Sequence, residues 1–163
     1  MAAGVESILI VRRSIHIQAP PERVWREFET FERMNGWWGA LIGPPEGGKP
    51  NGQRLVTYEP RVGGHVEMEV SLDGEAARYG GTIIVFDAPR ELTFENDWIP
   101  NQGWLKPTYI TIRLTSALGG TMVELTHHGF ERIGPAAADD HAGYEGSWSM
   151  TQLNALRALV EAA

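Results

Sequence analysis

The segment Gly146-Ser-Trp148-Ser-Met-Thr-Gln-Leu153-Asn-Ala-Leu156-Arg-Ala-Leu159-Val160-Glu161 is the one long apolar-periodic helical stretch in a sequence otherwise made of strands. Leu153, Leu156 and Val160 share a stripe, with Ala155 and Leu159 beside it. A helix that apolar is stable only when its stripe is buried against another layer, and here the other layer must be a sheet. The chain is therefore expected to be a sheet that closes on a terminal helix. Such a sheet can leave a cavity between its concave face and the helix.

The strands announce themselves by period-two alternation and by the turns between them. Leu55–Glu59 and His65–Leu72 flank Pro60-Arg-Val-Gly-Gly64, and Asp73-Gly74 marks the next turn. Arg78–Asp87 and Arg90–Trp98 flank Ala88-Pro89, and Thr108–Thr115 and Thr121–His128 flank Ser116-Ala-Leu-Gly-Gly120. Short strands joined by short turns, with no helix between them, make an antiparallel meander.

Alternation also assigns faces. Val66, Met68 and Val70 oppose His65, Glu67 and Glu69; Ile110, Ile112 and Leu114 oppose Tyr109, Thr111 and Arg113. Val123 and Leu125 carry His127 to the inner side and leave His128 outside. Leu92 and Phe94 carry Asn96 and Trp98 inward. Ile84 and Phe86 claim the inner face of their strand, which turns Ile83 and Val85 outward, an apolar surface for a loop or a second subunit (a homodimer) to cover.

Ahead of the meander, Ile8–Ile17 reads as a strand stopped at Ala19-Pro20-Pro21. Pro21 suits the first position of a helix and Glu22 its positive end. Val24, Phe28 and Phe31, with Trp25, give an amphipathic helix over about 21–33. Met34-Asn-Gly-Trp37-Trp38-Gly and a Gly- and Pro-dense loop from Gly43 to Gly52 follow. Near the other end, Gly129-Phe130 to Ala138 reads as irregular, Asp139-Asp140 can cap the terminal helix, and Gly143 and Gly146 predict a ragged or kinked start to it. The order strand, helix, loop, six strands, helix is that of a single α+β domain spanning residues 1–163.

Charge and composition exclude several functions. With 14 basic and 21 acidic residues the net charge is −7, against the basic face that nucleic acid or an anionic membrane demands. The absence of cysteine removes disulfides, thiolate metal sites and thiol nucleophiles. No apolar run reaches the roughly 20 residues of a spanning helix, and the first residues lack a signal peptide's basic start and cleavage site, so a cytoplasmic location is expected.

Several pieces resemble a known family in the right order over nearly the whole chain. They are Ile17-Gln-Ala-Pro-Pro-Glu-Arg-Val-Trp25, Trp37-Trp38, Pro60-Arg-Val-Gly-Gly64, Tyr79-Gly-Gly81-Thr and Asp87-Ala-Pro-Arg-Glu-Leu92. Gly120-Thr121, Leu125-Thr-His127-His-Gly129-Phe130 and Gly146-Ser-Trp148 with Leu153 and Leu156 complete the set. The chain resembles the START-like or SRPBCC superfamily, in its branch related to the activator of Hsp90 ATPase. The resemblance implies a helix-grip fold: a seven-stranded curved antiparallel sheet around a long C-terminal helix, with a small helix or helix pair after the first strand. It also implies a hydrophobic pocket between sheet and terminal helix, with the long loop near its mouth; no cofactor is expected. Two departures, Asn96 where the family often has an aromatic and Gly-Ser-Trp where Gly-Trp is usual, fall beside that pocket. The family keeps a scaffold and varies what it binds, so no reaction follows from the resemblance.

Inner-face parity and the implied pocket select Trp38, Asn96, Trp98, His127, Trp148 and Leu153 as ligand-binding candidates. His127 either engages a ligand or bonds within the core. Asn96, if inward, needs a partner, since an unpartnered buried amide costs about 1–3 kcal/mol; otherwise Asn96-Asp97 is an exposed turn. Trp98 and Trp104 bracket an excursion that can fold over the pocket mouth. Trp25 and Trp37 read as core. Adjacent His127 and His128 point to opposite faces and cannot share a metal, and His16, His65 and His141 show no ligand spacing with them. Glu67 and Glu69 read as a solvated pair, and no nucleophile elbow or phosphate loop is present. Three functions remain open: a binder of a small hydrophobic or amphipathic molecule, such as a lipid, an enzyme of the polyketide cyclase or aromatase kind, and a chaperone regulator.

Overall fold

The computed structural model describes residues 9–39, 52–72 and 74–162. Seven strands form one antiparallel sheet: β1 (Val11–Ile17), β2 (Gly52–Tyr58), β3 (His65–Leu72), β4 (Glu75–Asp87), β5 (Glu91–Ile99), β6 (Thr108–Ala117) and β7 (Gly120–His128). Their order, β1-β7-β6-β5-β4-β3-β2, is a meander to which the first strand returns at the β7 edge. The helices are α1 (Pro21–Trp25), α2 (Phe31–Trp38), α3 (Ala137–Ser147) and α4 (Thr151–Glu161), with 3-10 turns at Arg26–Phe28 and Phe130–Arg132. This is the helix-grip architecture expected from the sequence. The Gly- and Pro-dense loop, save Gly52, and Asp73 lie outside the described residues.

The inner faces follow alternation closely. Val66, Met68 and Val70, then Leu92, Phe94 and Asn96, then Ile110, Ile112 and Leu114, then Val123, Leu125 and His127 are all buried. Each fully buried Leu, Ile or Phe contributes about 1.5–3 kcal/mol of transfer free energy, so this surface holds the sheet against its helices. β4 lies close against its neighbours at Gly80 and Gly81. A Cβ at Gly80 would collide with the Val66 carbonyl, and one at Gly81 with that of Glu95, so only glycine lets β3, β4 and β5 approach there.

β4 also carries the clearest correction. Ile83, expected outward, is wholly buried, whereas Ile84, expected inward, is exposed. Ile83 pairs with Phe94 but Val85 with Thr93 and Phe86 with Leu92, so an irregularity at Ile84 inserts one residue. The bulge lets Ile83 and Phe86 both reach the core, Phe86 against the Trp25 ring at 5.2 Å. Strict period-two counting could satisfy only one of them.

The helices depart from the sequence reading at their breaks. The helix expected over 21–33 is a pair: Thr30 turns extended, and its Oγ1 accepts the Arg33 N–H at 3.2 Å to start α2. Met34, Trp37 and Trp38 are thereby helical and buried. Among the described residues β1 begins at Val11, and Ile8, where the strand was expected to start, lies outside them; the carbonyl of Ile10 is taken by His141 Nε2 at 3.0 Å. The terminal helix is likewise two helices, because Trp148 leaves helical geometry (φ −64°, ψ 117°) at the end of α3. Asp139 and Asp140 do not cap α3, whose N-cap is Ala136; they lie in its first turn, where their charge complements the positive end of its dipole. α4 buries Gln152, Leu153, Leu156 and Val160 against β1 and α2, and α3 buries no residue completely.

Candidate functional site

A cavity of about 540 Å³ opens between the concave sheet and the α3–α4 junction. Val70, Tyr79, Asn96, Trp98, Ile110 and His127 line it from the sheet, while Asp140, Gly143, Tyr144, Ser147 and Trp148 line it from α3 and its end. The α3 contributors recur at spacings of three and four, one face of a helix laid over the sheet. α4 adds Gln152 alone among the described residues, so the cover is α3 and the break rather than the long apolar helix.

His127 anchors the deep wall. Indole N–H groups only donate, so Trp148 Nε1, 3.1 Å from His127 Nδ1, makes that nitrogen an acceptor. The proton of a neutral ring is then on Nε2, which donates to Thr108 Oγ1 at 2.8 Å. The Thr108 hydroxyl in turn donates to the backbone carbonyl of Asn96 at 3.0 Å. The chain Trp148, His127, Thr108, Asn96 is fully paired and fixes one tautomer. Burial, with smaller contributions from His128 and His141, drives the His127 pKa down to about 3. The ring is a neutral structural element with both nitrogens occupied. Phe130 and Tyr144 pack on it at 4.5 and 4.6 Å between centroids.

Asn96 is the opposite case. It is 1% exposed and lines the cavity, yet its Oδ1 has no hydrogen-bond partner among the described residues. Buried amides are normally satisfied, so this oxygen is a polar group on the wall with capacity to spare. Its position in β5 opposite Thr108 excludes the exposed-turn alternative.

The mouth is built by the β5–β6 connection. Asn101 donates to Asp97 at 2.8 Å and to the Trp104 carbonyl at 3.0 Å, which folds the connection back on itself. Trp104 Nε1 then donates to Asp140 Oδ2 at 2.8 Å, joining it to α3. Trp98 stands edge-on to Tyr79 at 5.9 Å. Burial raises the Tyr79 phenol; burial first, then Asp140 and Asp97, raise that of Tyr144. Tyr79 also bonds Gln53, whose amide N–H reaches the Trp38 carbonyl at 2.9 Å.

Of the six candidates, Asn96, Trp98, His127 and Trp148 come together on the cavity wall. Trp38 and Leu153 do not; both are buried in the core behind it, Trp38 edge-on to Trp148 at 6.2 Å. Trp38 faces that core because it belongs to α2, an element that sequence periodicity ended too early. Gln53, Tyr79, Tyr144 and Gln152 were missed. Tyr144 lies four residues after Asp140, a one-face spacing that was legible; the others carry no local signal. Glu67 and Glu69 do sit outside, paired with Arg78 at 3.1 and 3.4 Å. Among the described residues no group of His, Asp or Glu could hold a metal, and no helix is long and apolar enough to cross a membrane.

A family model described as Activator of Hsp90 ATPase homolog 1-like protein matches residues 18–161. A search of curated proteins finds no match. Among solved structures, protein Ms6760 from Mycobacterium smegmatis is 21% identical with a TM-score of 0.70, covering 95% of this chain and 92% of that one. Protein CV1439 from Chromobacterium violaceum is 22% identical with a TM-score of 0.67, covering 93% of this chain and 97% of that one. The Aha1 dimer from Colwellia psychrerythraea is 15% identical with a TM-score of 0.56 over 93% of this chain and 96% of that one. At these identities the likeness is one of fold. The match over residues 18–161 places the chain in the family of Activator of Hsp90 ATPase homolog 1-like proteins.

Proposed function

We propose that this protein binds a small hydrophobic or amphipathic molecule in the cavity under α3, without transforming it. The observation that carries the reading is the unpartnered Oδ1 of Asn96 on the wall of a space of about 540 Å³. That volume falls within the range of small-molecule sites, which combine apolar walls with a few placed polar groups. Trp98, Trp104 and Trp148 supply flat apolar area, and the amides of Asn96 and Gln152 supply polar contacts.

A cyclase-like reaction would need a side chain free to take or give a proton near neutral pH. His127, the one histidine on the wall, is held neutral with both nitrogens engaged. The phenols of Tyr79 and Tyr144, also on the wall, are raised by burial and stay protonated. Binding therefore fits the wall better than proton transfer does.

Native mass spectrometry of the purified protein tests the proposal. A co-purified small molecule is expected, lost when Asn96 and Trp98 are both replaced by alanine. Bare protein, together with failure of a panel of aromatic and aliphatic amphiphiles to shift any cavity resonance in NMR, would refute it.

A further inference from the structure

The charge of the cavity wall narrows the ligand class. We infer that the cavity selects an amphiphile bearing a cationic, hydrogen-bond-donating amine over the matching carboxylate; this rests on the binding reading above. Among the described lining residues the charged side chains are Asp139 and Asp140, and neither Lys nor Arg lines the space. His127 adds no positive charge, since Trp148 donates to its Nδ1.

Two arginines bonded to residues of this region are already engaged. Arg13 donates to the carbonyls of Glu145 at 2.9 Å and Trp148 at 3.2 Å and pairs with the Glu145 carboxylate at 3.5 Å. Arg132 lies 4.2 Å from the Tyr109 ring centroid and donates to the Pro107 carbonyl at 2.8 Å. A bound carboxylate would thus lose water without gaining a cation, a costly exchange. The N-terminus of α3 offers a partial positive charge of about one half, which two carboxylates in its first turn exceed.

A donor meets the reverse situation at every level. Deep on the wall, the Asn96 Oδ1 is an acceptor with no partner, an observation independent of the acidic pair. The rings of Trp98, Trp104, Tyr144 and Trp148 line the same space and supply π-systems of the kind that attract an ammonium. At the mouth, the field of Asp140 reaches Tyr144, whose phenol it helps to raise. An ammonium within range of one such carboxylate gains about tenfold in affinity even when partly screened.

Calorimetric titration with three probes of one shape tests this: tryptamine, 3-ethylindole and indole-3-propionate, each at low and high salt. Tryptamine should bind tightest, about tenfold above 3-ethylindole, with indole-3-propionate weakest and the spread shrinking as salt rises. The Asp139→Asn/Asp140→Asn double variant should bring the tryptamine to 3-ethylindole ratio towards one. Asp139→Asn alone, which leaves the Trp104 contact in place, should lower it part of the way. Equal binding of the three probes, a preference for the propionate, or an unchanged ratio in both variants would overturn the inference while leaving the cavity reading intact. Failure of all three to bind would refute the cavity reading, and the inference with it.

Discussion

Trp148, at the end of α3, and His127, on the sheet, are joined by one 3.1 Å hydrogen bond that ties the cover of the cavity to its floor. The same bond fixes the histidine tautomer, so cover placement and floor chemistry depend on each other. Trp148→Phe keeps most of the ring but removes the donor. It should cost about 1 kcal/mol by chemical denaturation and speed amide exchange in α3 more than in β6 or β7. Uniform exchange across these elements would count against the tie.

The buried, neutral His127 sets a pH dependence. Its folded pKa, about 3, lies below the ordinary 6.5, so between these values the unfolded chain binds a proton the folded chain refuses. Stability is therefore fully present above pH 6.5 and is lost as pH falls towards about 3, by about 1.4 kcal/mol per unit at most. His127→Gln should flatten that slope, and the gap to the unsubstituted protein should narrow as pH is lowered. Parallel stability curves for the two proteins would exclude this role.

Asn96→Leu replaces an amide with an unpartnered oxygen by an apolar group of similar size. The free protein should gain about 1 kcal/mol, read as a higher midpoint in urea, and bind tryptamine more weakly. A loss of stability would mean that the amide is satisfied in solution.

Gly143 and Gly146 sit within α3, and a Cβ at either meets nothing within 4 Å. Gly146→Ala should stabilise the protein by about 0.5–1 kcal/mol through helix propensity. Gly143→Leu adds bulk on the face that lines the cavity, and should weaken probe binding while Gly146→Ala does not. Equal effects of the two on binding would show that the cavity face is assigned wrongly.

The strands were legible because each inner residue meets apolar neighbours and each outer one meets water, so Val66, Ile112 and His127 fell on the side that alternation gave them. That logic fails where backbone irregularity intervenes: one inserted residue at Ile84 reversed the reading of Ile83. α3 left no apolar periodicity to find, since Ala137-Ala-Asp-Asp-His-Ala-Gly buries nothing completely. Trp38 and Leu153 were apolar enough for a pocket or a core, and only the three-dimensional path of α2 and α4 decides between them. The polar partners of His127 come from β6 and from beyond α3, at sequence distances of 19 and 21 residues. No local pattern reports such pairs.

The polar attachment of α3 divides labour within the chain. The sheet, α2 and α4 share the apolar core, whereas α3 is held by side-chain hydrogen bonds of Arg13, His141 and Trp104 and by the packing of Tyr144 on His127 and Phe130. Substitutions at Asp139, Asp140, Gly143 and Ser147, which line the cavity from α3, consequently alter its wall without opening holes in the core. The scaffold is arranged so that selection can rewrite ligand preference in one short segment while fold stability is inherited from the rest.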